Sequence, residues 1–182
     1  MSEAKGMVKT MKKRIRLIIM IIVSVLTICL IIWRFWPQSF TKATSVDKNS
    51  IVRVSVHAMF NEFENGQTNI DTYRIDDMDQ QMNTLEEIME ILATSSYRQD
   101  FRNLLLWDLD YVDADKNYDG RTVTVSFYMN NQMDKYVQIQ FLSSSIIVVS
   151  SGGETGFRVY HPTNHQTIDQ LSEYIQTHGV KE

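Results

Sequence analysis

The longest uninterrupted apolar stretch runs over residues 17–33, LIIMIIVSVLTICLIIW, with no charged side chain inside it. As a helix rising about 1.5 Å per residue it is roughly 25 Å long, the short end of what crosses a bilayer. Its twelve Leu, Ile and Val residues favour insertion by about 4–7 kcal/mol on the biological scale. A buried helix of a soluble core would carry a polar stripe, and this one has none.

Beyond the stretch the pattern changes to period two. Val52, Val54, Val56, Ala58 and Phe60 alternate with Arg53, Ser55 and His57, which predicts a half-buried strand over 51–60. Asn65-Gly66 supplies a hairpin turn, because a tight hairpin needs positive φ, and 68–75 returns as a second strand. Asp76 or Asp77 then caps a helix whose apolar positions Met78, Met82, Leu85, Ile88, Met89 and Leu92 recur at steps of three and four. Further strands are predicted at 104–112, 122–129, 136–142, 146–149 and 157–160. Ile168, Leu171 and Ile175 mark a closing helix, with Thr167 as its cap and Gly179 just past its end. The order β-β-α-β-β-β-β-β-α, joined mostly by short turns, predicts an α+β fold: an antiparallel sheet with two helices on one side, behind a single N-terminal transmembrane helix.

Four regions follow: a basic tail at 1–16, the transmembrane helix at 17–36, a polar stalk at 37–50 (PQSFTKATSVDKNS), and an α+β domain at 51–182. The tail is too short to bury a core, whereas some 130 residues suffice.

Charge orients the chain. The 182 residues carry a net charge of -4, but residues 1–36 hold seven basic side chains against one acid (+6), leaving eleven against 21 (-10) for 37–182. Lys5, Lys9, Lys12, Lys13, Arg14 and Arg16 all precede the span, so the N-terminus is expected in the cytoplasm and the domain outside. Arg16, Trp33, Arg34 and Trp36 lie where long cationic stems and amphipathic rings meet the membrane interface. Arg34, Phe35, Trp36, Pro37 and Gln38 offer no small-x-small cleavage site, so a retained signal-anchor is expected. Leu26-Thr27-Ile28-Cys29 is spaced like a lipobox, but Ile28 is bulky where such a box has Ala or Gly, and the apolar run continues past Cys29.

The strands and helices together resemble a group of small extracytoplasmic domains of unknown function, common on anchored or lipid-modified proteins of low-GC Gram-positive bacteria. The residues that carry the resemblance are 51–60, Asn65-Gly66, Tyr73-Arg74-Ile75-Asp76, Val125-Ser126-Phe127-Tyr128-Met129-Asn130, Phe157-Arg158-Val159-Tyr160 and the closing helix. The resemblance implies a fold and a location, and it brings no catalytic residues. Some lantibiotic-immunity proteins are similar in layout.

Four constellations bear on chemistry. In the acidic turn that starts at Asp113, residues Asp115, Asn117, Asp119 and Gly120 match positions one, three, five and six of a calcium loop, where alternate oxygens converge and Gly permits the sharp turn. Ser126 stands where the bidentate Glu should be, so the competing reading is a solvated turn, with weak calcium binding as the alternative. Asp108 and Asp110 share strand parity, as paired acid–base carboxylates would, and as a solvent face also does. His161 and His165 have metal-like spacing without a third ligand nearby. The glycines of 150–156 lack the Lys of a phosphate loop. No cofactor is expected, and the acidic domain opposes nucleic-acid binding.

These features predict a non-enzymatic, single-pass accessory or binding protein whose partners are the bilayer and a protein or peptide at the cell surface. The alternatives are an immunity or sequestration protein against cationic peptides, a subunit of a membrane transfer or secretion machine, and an envelope hydrolase.

Overall fold

The computed structural model describes residues 2–64, 67–76, 82–104, 120–130, 132–152 and 157–182. They form two compact units, Met1–Trp36 and Pro37–Glu182.

The first unit is one continuous helix, α1, Ser2–Arg34. Its apolar part, Arg14–Arg34, is 21 residues long with none of its residues buried, and at roughly 31 Å it matches the hydrocarbon thickness of a bilayer. It is the single helix among the described residues long and apolar enough to cross a membrane. The Thr27 hydroxyl donates to the Val23 carbonyl at 2.9 Å, which satisfies a polar group that hydrocarbon cannot.

The second unit is an antiparallel α+β domain. Its strands are β1 (Arg53–Glu64), β2 (Gln67–Asp76), β3 (Tyr97–Gln99), β4 (Arg121–Tyr128), β5 (Tyr136–Ser143), β6 (Ile146–Ser151), β7 (Phe157–Pro162) and β8 (Val180–Lys181). They lie in one sheet in the order β3-β7-β6-β5-β4-β1-β2-β8. Alternation does the work predicted for it: Val54, Val56, Ala58 and Phe60 of β1 join Val123, Val125 and Phe127 of β4 and Val137, Ile139 and Phe141 of β5 in one buried layer. Over this layer lie α3 (Met82–Ala93) and α4 (Thr167–His178), which contribute Ile88, Leu92, Ile168, Leu171 and Ile175.

Three expectations need correcting. Residues 37–50 are no stalk. A short helix, α2 (Phe40–Thr44), puts Phe40, Ala43 and Val46 in the core, and the Phe40 ring meets Tyr97 and Phe127 edge-on at 5.8 and 6.0 Å. The apolar residues among the Ser and Thr side chains are few, but they fall at steps of three, enough to fill one face of a helical turn. Next, β3 is a strand that the pattern did not suggest; three residues are too short for alternation to register. Finally, the strand expected at 104–112 begins instead in a 3-10 turn, Phe101–Leu104, and residues 105–112 lie outside the described residues, as does the Asn65-Gly66 turn.

The helix ends also differ in detail. Asp76 belongs to β2 rather than to a cap, and Asp77 and Met78 lie outside the described residues. At α4, Thr167 is the first helical residue and not the cap: Gln166 precedes the helix and makes no side-chain cap bond, while the Thr167 hydroxyl donates back to the Asn164 carbonyl at 3.0 Å. Gly179 does close α4: its N–H donates to the Ile175 carbonyl at 2.7 Å, and a Cβ there would collide with that same oxygen.

Candidate functional site

The four residues expected at a membrane interface lie on or just after α1. Arg16 is exposed near the start of the apolar stretch, Arg34 closes α1, and Trp33 and Trp36 are 70% and 65% exposed. Trp36 N–H donates to the Trp33 carbonyl at 3.3 Å, so the helix tightens into a turn between the two rings. Arg34 also places a cation at the negative end of the helix dipole.

On the domain, the sheet face opposite the core carries the richest polar arrangement. Register aligns it in rows across four strands: Asp76, Ser55, Ser126 and Gln138 in one, Arg74, His57, Thr124 and Gln140 in the next. At one end the Asp76 carboxylate accepts from the Ser55 hydroxyl at 2.9 Å and pairs with Arg74 and, at 3.4 Å, with Arg53. Burial alone would raise its pKa, but the Ser55 hydroxyl and the two guanidinium groups outweigh that and hold it below the usual carboxylate range.

Arg53 is the centre of this end. Its side chain is only 16% exposed, its Nη1 donates to Met133 Sδ at 3.2 Å, and its guanidinium lies 5.8 Å from the centre of the Tyr128 ring. Tyr128 in turn meets Tyr136 across the β4–β5 ladder at 6.0 Å. A fixed cation beside two amphipathic rings, continued by Gln138 and Gln140, suits recognition of an extended or planar partner with hydrogen-bonding groups. Sequence reasoning missed this cluster. The signal was available in the polar parity of the strands, but it links residues as far apart as Arg53 and Tyr136, and only register brings them together.

His161 and His165 take structural positions. His161 Nε2 lies 2.8 Å from Asp100 Oδ2 and its Nδ1 lies 2.8 Å from the Ser145 carbonyl. A carbonyl oxygen only accepts, so Nδ1 carries a proton, and the carboxylate occupies the other nitrogen; neither is open to a metal or a nucleophile. His165 Nδ1 lies 3.0 Å from the Ser144 carbonyl. Both rings thus fasten the turn before β6, and among the described residues no three metal-ligating side chains converge.

Asp113, Asp115, Asn117 and Asp119 lie outside the described residues, as do Asp108 and Asp110 and the glycine-rich end of 150–156 other than Gly152. Gly120 is described and has its own reason to be glycine. Its φ is +86° and a Cβ would lie 2.7 Å from the Asn61 carbonyl oxygen, where its own carbonyl accepts from Asn61 N–H at 2.7 Å. That close approach delivers the chain into β4.

Compared with known family models, curated proteins and solved structures, the chain matches none.

Proposed function

We propose that this chain is a single-pass membrane-anchored binding protein, with its N-terminus in the cytoplasm and its α+β domain outside, and that the domain takes a protein or peptide partner on the open sheet face. One observation carries the reading: a 21-residue apolar helix is joined to a domain whose open face presents Arg53, Tyr128, Tyr136, Gln138 and Gln140 in register. The chemistry of that face favours binding over catalysis. Asp76 is held as a carboxylate by three donors, a poor general acid. The basic flank of the span supports the orientation.

A second reading, sequestration of cationic peptides, is favoured by the charge of -10 over residues 37–182. It predicts loss of binding at high salt, whereas recognition through Tyr128, Tyr136 and the glutamines predicts little salt dependence.

The test is site-specific photocrosslinking in native membranes from Gln138 and Gln140, with exposed Glu173 on α4 as control. A discrete adduct from the face and none from Glu173 is the expected result. Equal labelling from both would sink the reading. Protease added to intact cells should digest the domain and spare the N-terminal tail; the reverse would overturn the orientation.

A further inference from the structure

The two edges of the sheet are treated differently. At the β3 edge, Gln38 N–H donates to the Tyr97 carbonyl at 2.9 Å and Tyr97 N–H to the Gln38 carbonyl at 2.7 Å, which covers that strand at Tyr97. At the other edge, β8 covers β2 only opposite Tyr73 and Arg74, with Glu182 N–H donating to the Thr72 carbonyl at 2.9 Å. The remainder of β2, residues 67–71, faces no further strand among the described residues.

The phase of the ladder says which groups point outward. Asn61 N–H donates toward β4, to Gly120, so Asn61 and its partner Ile70 do not bond each other, and the N–H and C=O of Ile70 point to the free edge. Thr68 shares that parity, and Thr72, two residues on, confirms it through Glu182. Thr68, Asn69 and Ile70 are exposed, and Ile70 is 60% exposed. No Lys, Pro or bulge guards this stretch, the devices by which edges are usually blunted.

We propose that residues 67–71 of β2 pair antiparallel with the same residues of a second copy of this chain, about a twofold axis at Asn69. The segment is bounded on both sides, by the Glu64–Gln67 pair at its start and by Glu182 beside Thr72, so Asn69 is its midpoint. Self-pairing there is complementary. Ile70 faces Thr68 of the other copy twice, giving β-branched cross-strand pairs and four backbone hydrogen bonds, and Asp71 does not face its own counterpart. Lys181, 2.6 Å from Asp71, already balances that charge. An arbitrary peptide would match the backbone but not this side-chain pattern.

The contact is far smaller than the ~1,000 Å² of a stable soluble interface. It rests on the anchor reading, because two chains held in one bilayer meet at a high effective concentration that a weak five-residue ladder can exploit.

The experiment uses the full chain with Cys29→Ser and Asn69→Cys in phosphatidylcholine–phosphatidylglycerol vesicles, oxidised with copper phenanthroline. The two positions 69 form a non-hydrogen-bonded pair with Cα atoms about 4.5 Å apart, within disulfide reach. Disulfide-linked dimer should exceed that of a Glu173→Cys control by about fivefold or more. Adding Ile70→Pro removes an outward N–H that β1 does not use, and should abolish the excess. Thr68→Lys with Ile70→Lys sets like charges opposite each other and should abolish it too; mixing those chains with Thr68→Glu/Ile70→Glu chains should restore it. Crosslinking no better than the control, crosslinking that survives both sets of changes, or failure of the charge swap to rescue would overturn the proposal. Failure of the anchor reading shows separately, as extraction of the chain from vesicles at alkaline pH.

Discussion

Gln38 and Tyr97 exchange both backbone hydrogen bonds, so a residue at the very start of the domain is the strand partner that closes one edge of its sheet. Phe40, two residues on, is 3% exposed and wedged between Tyr97 and Phe127. The segment from Gln38 to Val46 is therefore part of the domain's core and edge, and an interchangeable tether would have neither role.

The first expected outcome follows directly. Phe40→Ala should destabilise the domain by about 3–5 kcal/mol, the usual cost of a large-to-small change at a fully packed aromatic. Chemical denaturation of the full chain in mild detergent would measure it. A change below about 0.5 kcal/mol, as expected of a residue in a solvated linker, would show that Phe40 does not pack as described.

Much of the architecture was legible because alternation is a local signal. Val54, Val56 and Ala58 declare their shared face within five residues, and Val123, Val125 and Phe127 do the same; all six are buried as the pattern chose, whereas Val52, grouped with the first three, precedes β1 and is 56% exposed. Helix α4 was legible for the same reason, through Ile168, Leu171 and Ile175. Phe40 and Val46 were hidden by composition, since Ser and Thr outnumber them, and the rings that meet Phe40, Tyr97 and Phe127, are more than fifty residues away. The polar cluster on the open face was illegible for a related reason. Arg53, Asp76 and Tyr128 become neighbours only through the β2–β1–β4 register, and no spacing along the chain announces it.

Asp76 carries a pH dependence of definite sign. Its carboxyl in the folded domain titrates below its ordinary value of 3.8 because Ser55, Arg74 and Arg53 outweigh the burial that would raise it. The stabilisation it gives is present above the unfolded-state pKa and is lost as pH falls below about 3.8 toward the folded-state pKa. Asp76→Asn should cost on the order of 1 kcal/mol at neutral pH, solvent screening included. It should also flatten the acid limb of the stability profile; an unchanged limb in urea titrations from pH 5 to 2 would contradict the assignment.

Gly120 is expected to be intolerant for two reasons that act together. Its φ of +86° is unfavourable to any residue with a Cβ, and the Asn61 carbonyl leaves that Cβ no room. Gly120→Ala should lose about 1–3 kcal/mol. Gly152, whose φ is not positive, provides a comparison: its Cβ would meet the Tyr136 ring as well as the Asp134 carbonyl, so Gly152→Ala combined with Tyr136→Ala should recover part of its loss. Gly120→Ala combined with Asn61→Ala should recover none, because the obstacle is backbone.

Tyr97 makes the sharpest alkaline prediction. It is fully buried, its hydroxyl donates to the Leu92 carbonyl at 2.7 Å, and burial pushes its ionisation well above the ordinary value of 10.0. Tyr97→Phe removes the donor that satisfies the last turn of α3 and should cost about 1–2 kcal/mol at neutral pH. The sign then reverses the comparison at high pH. A phenol whose folded-state pKa is raised keeps its contribution below the unfolded-state pKa and loses it as pH rises beyond, because only the unfolded chain releases that proton. Above pH ~10 the native chain should therefore lose stability relative to Tyr97→Phe by about 1.4 kcal/mol per pH unit. Paired denaturation curves between pH 8 and 11 would read the difference directly, since the chain's other tyrosines are common to both proteins. A constant gap across that range would mean that the Tyr97 hydroxyl reaches solvent in the folded domain.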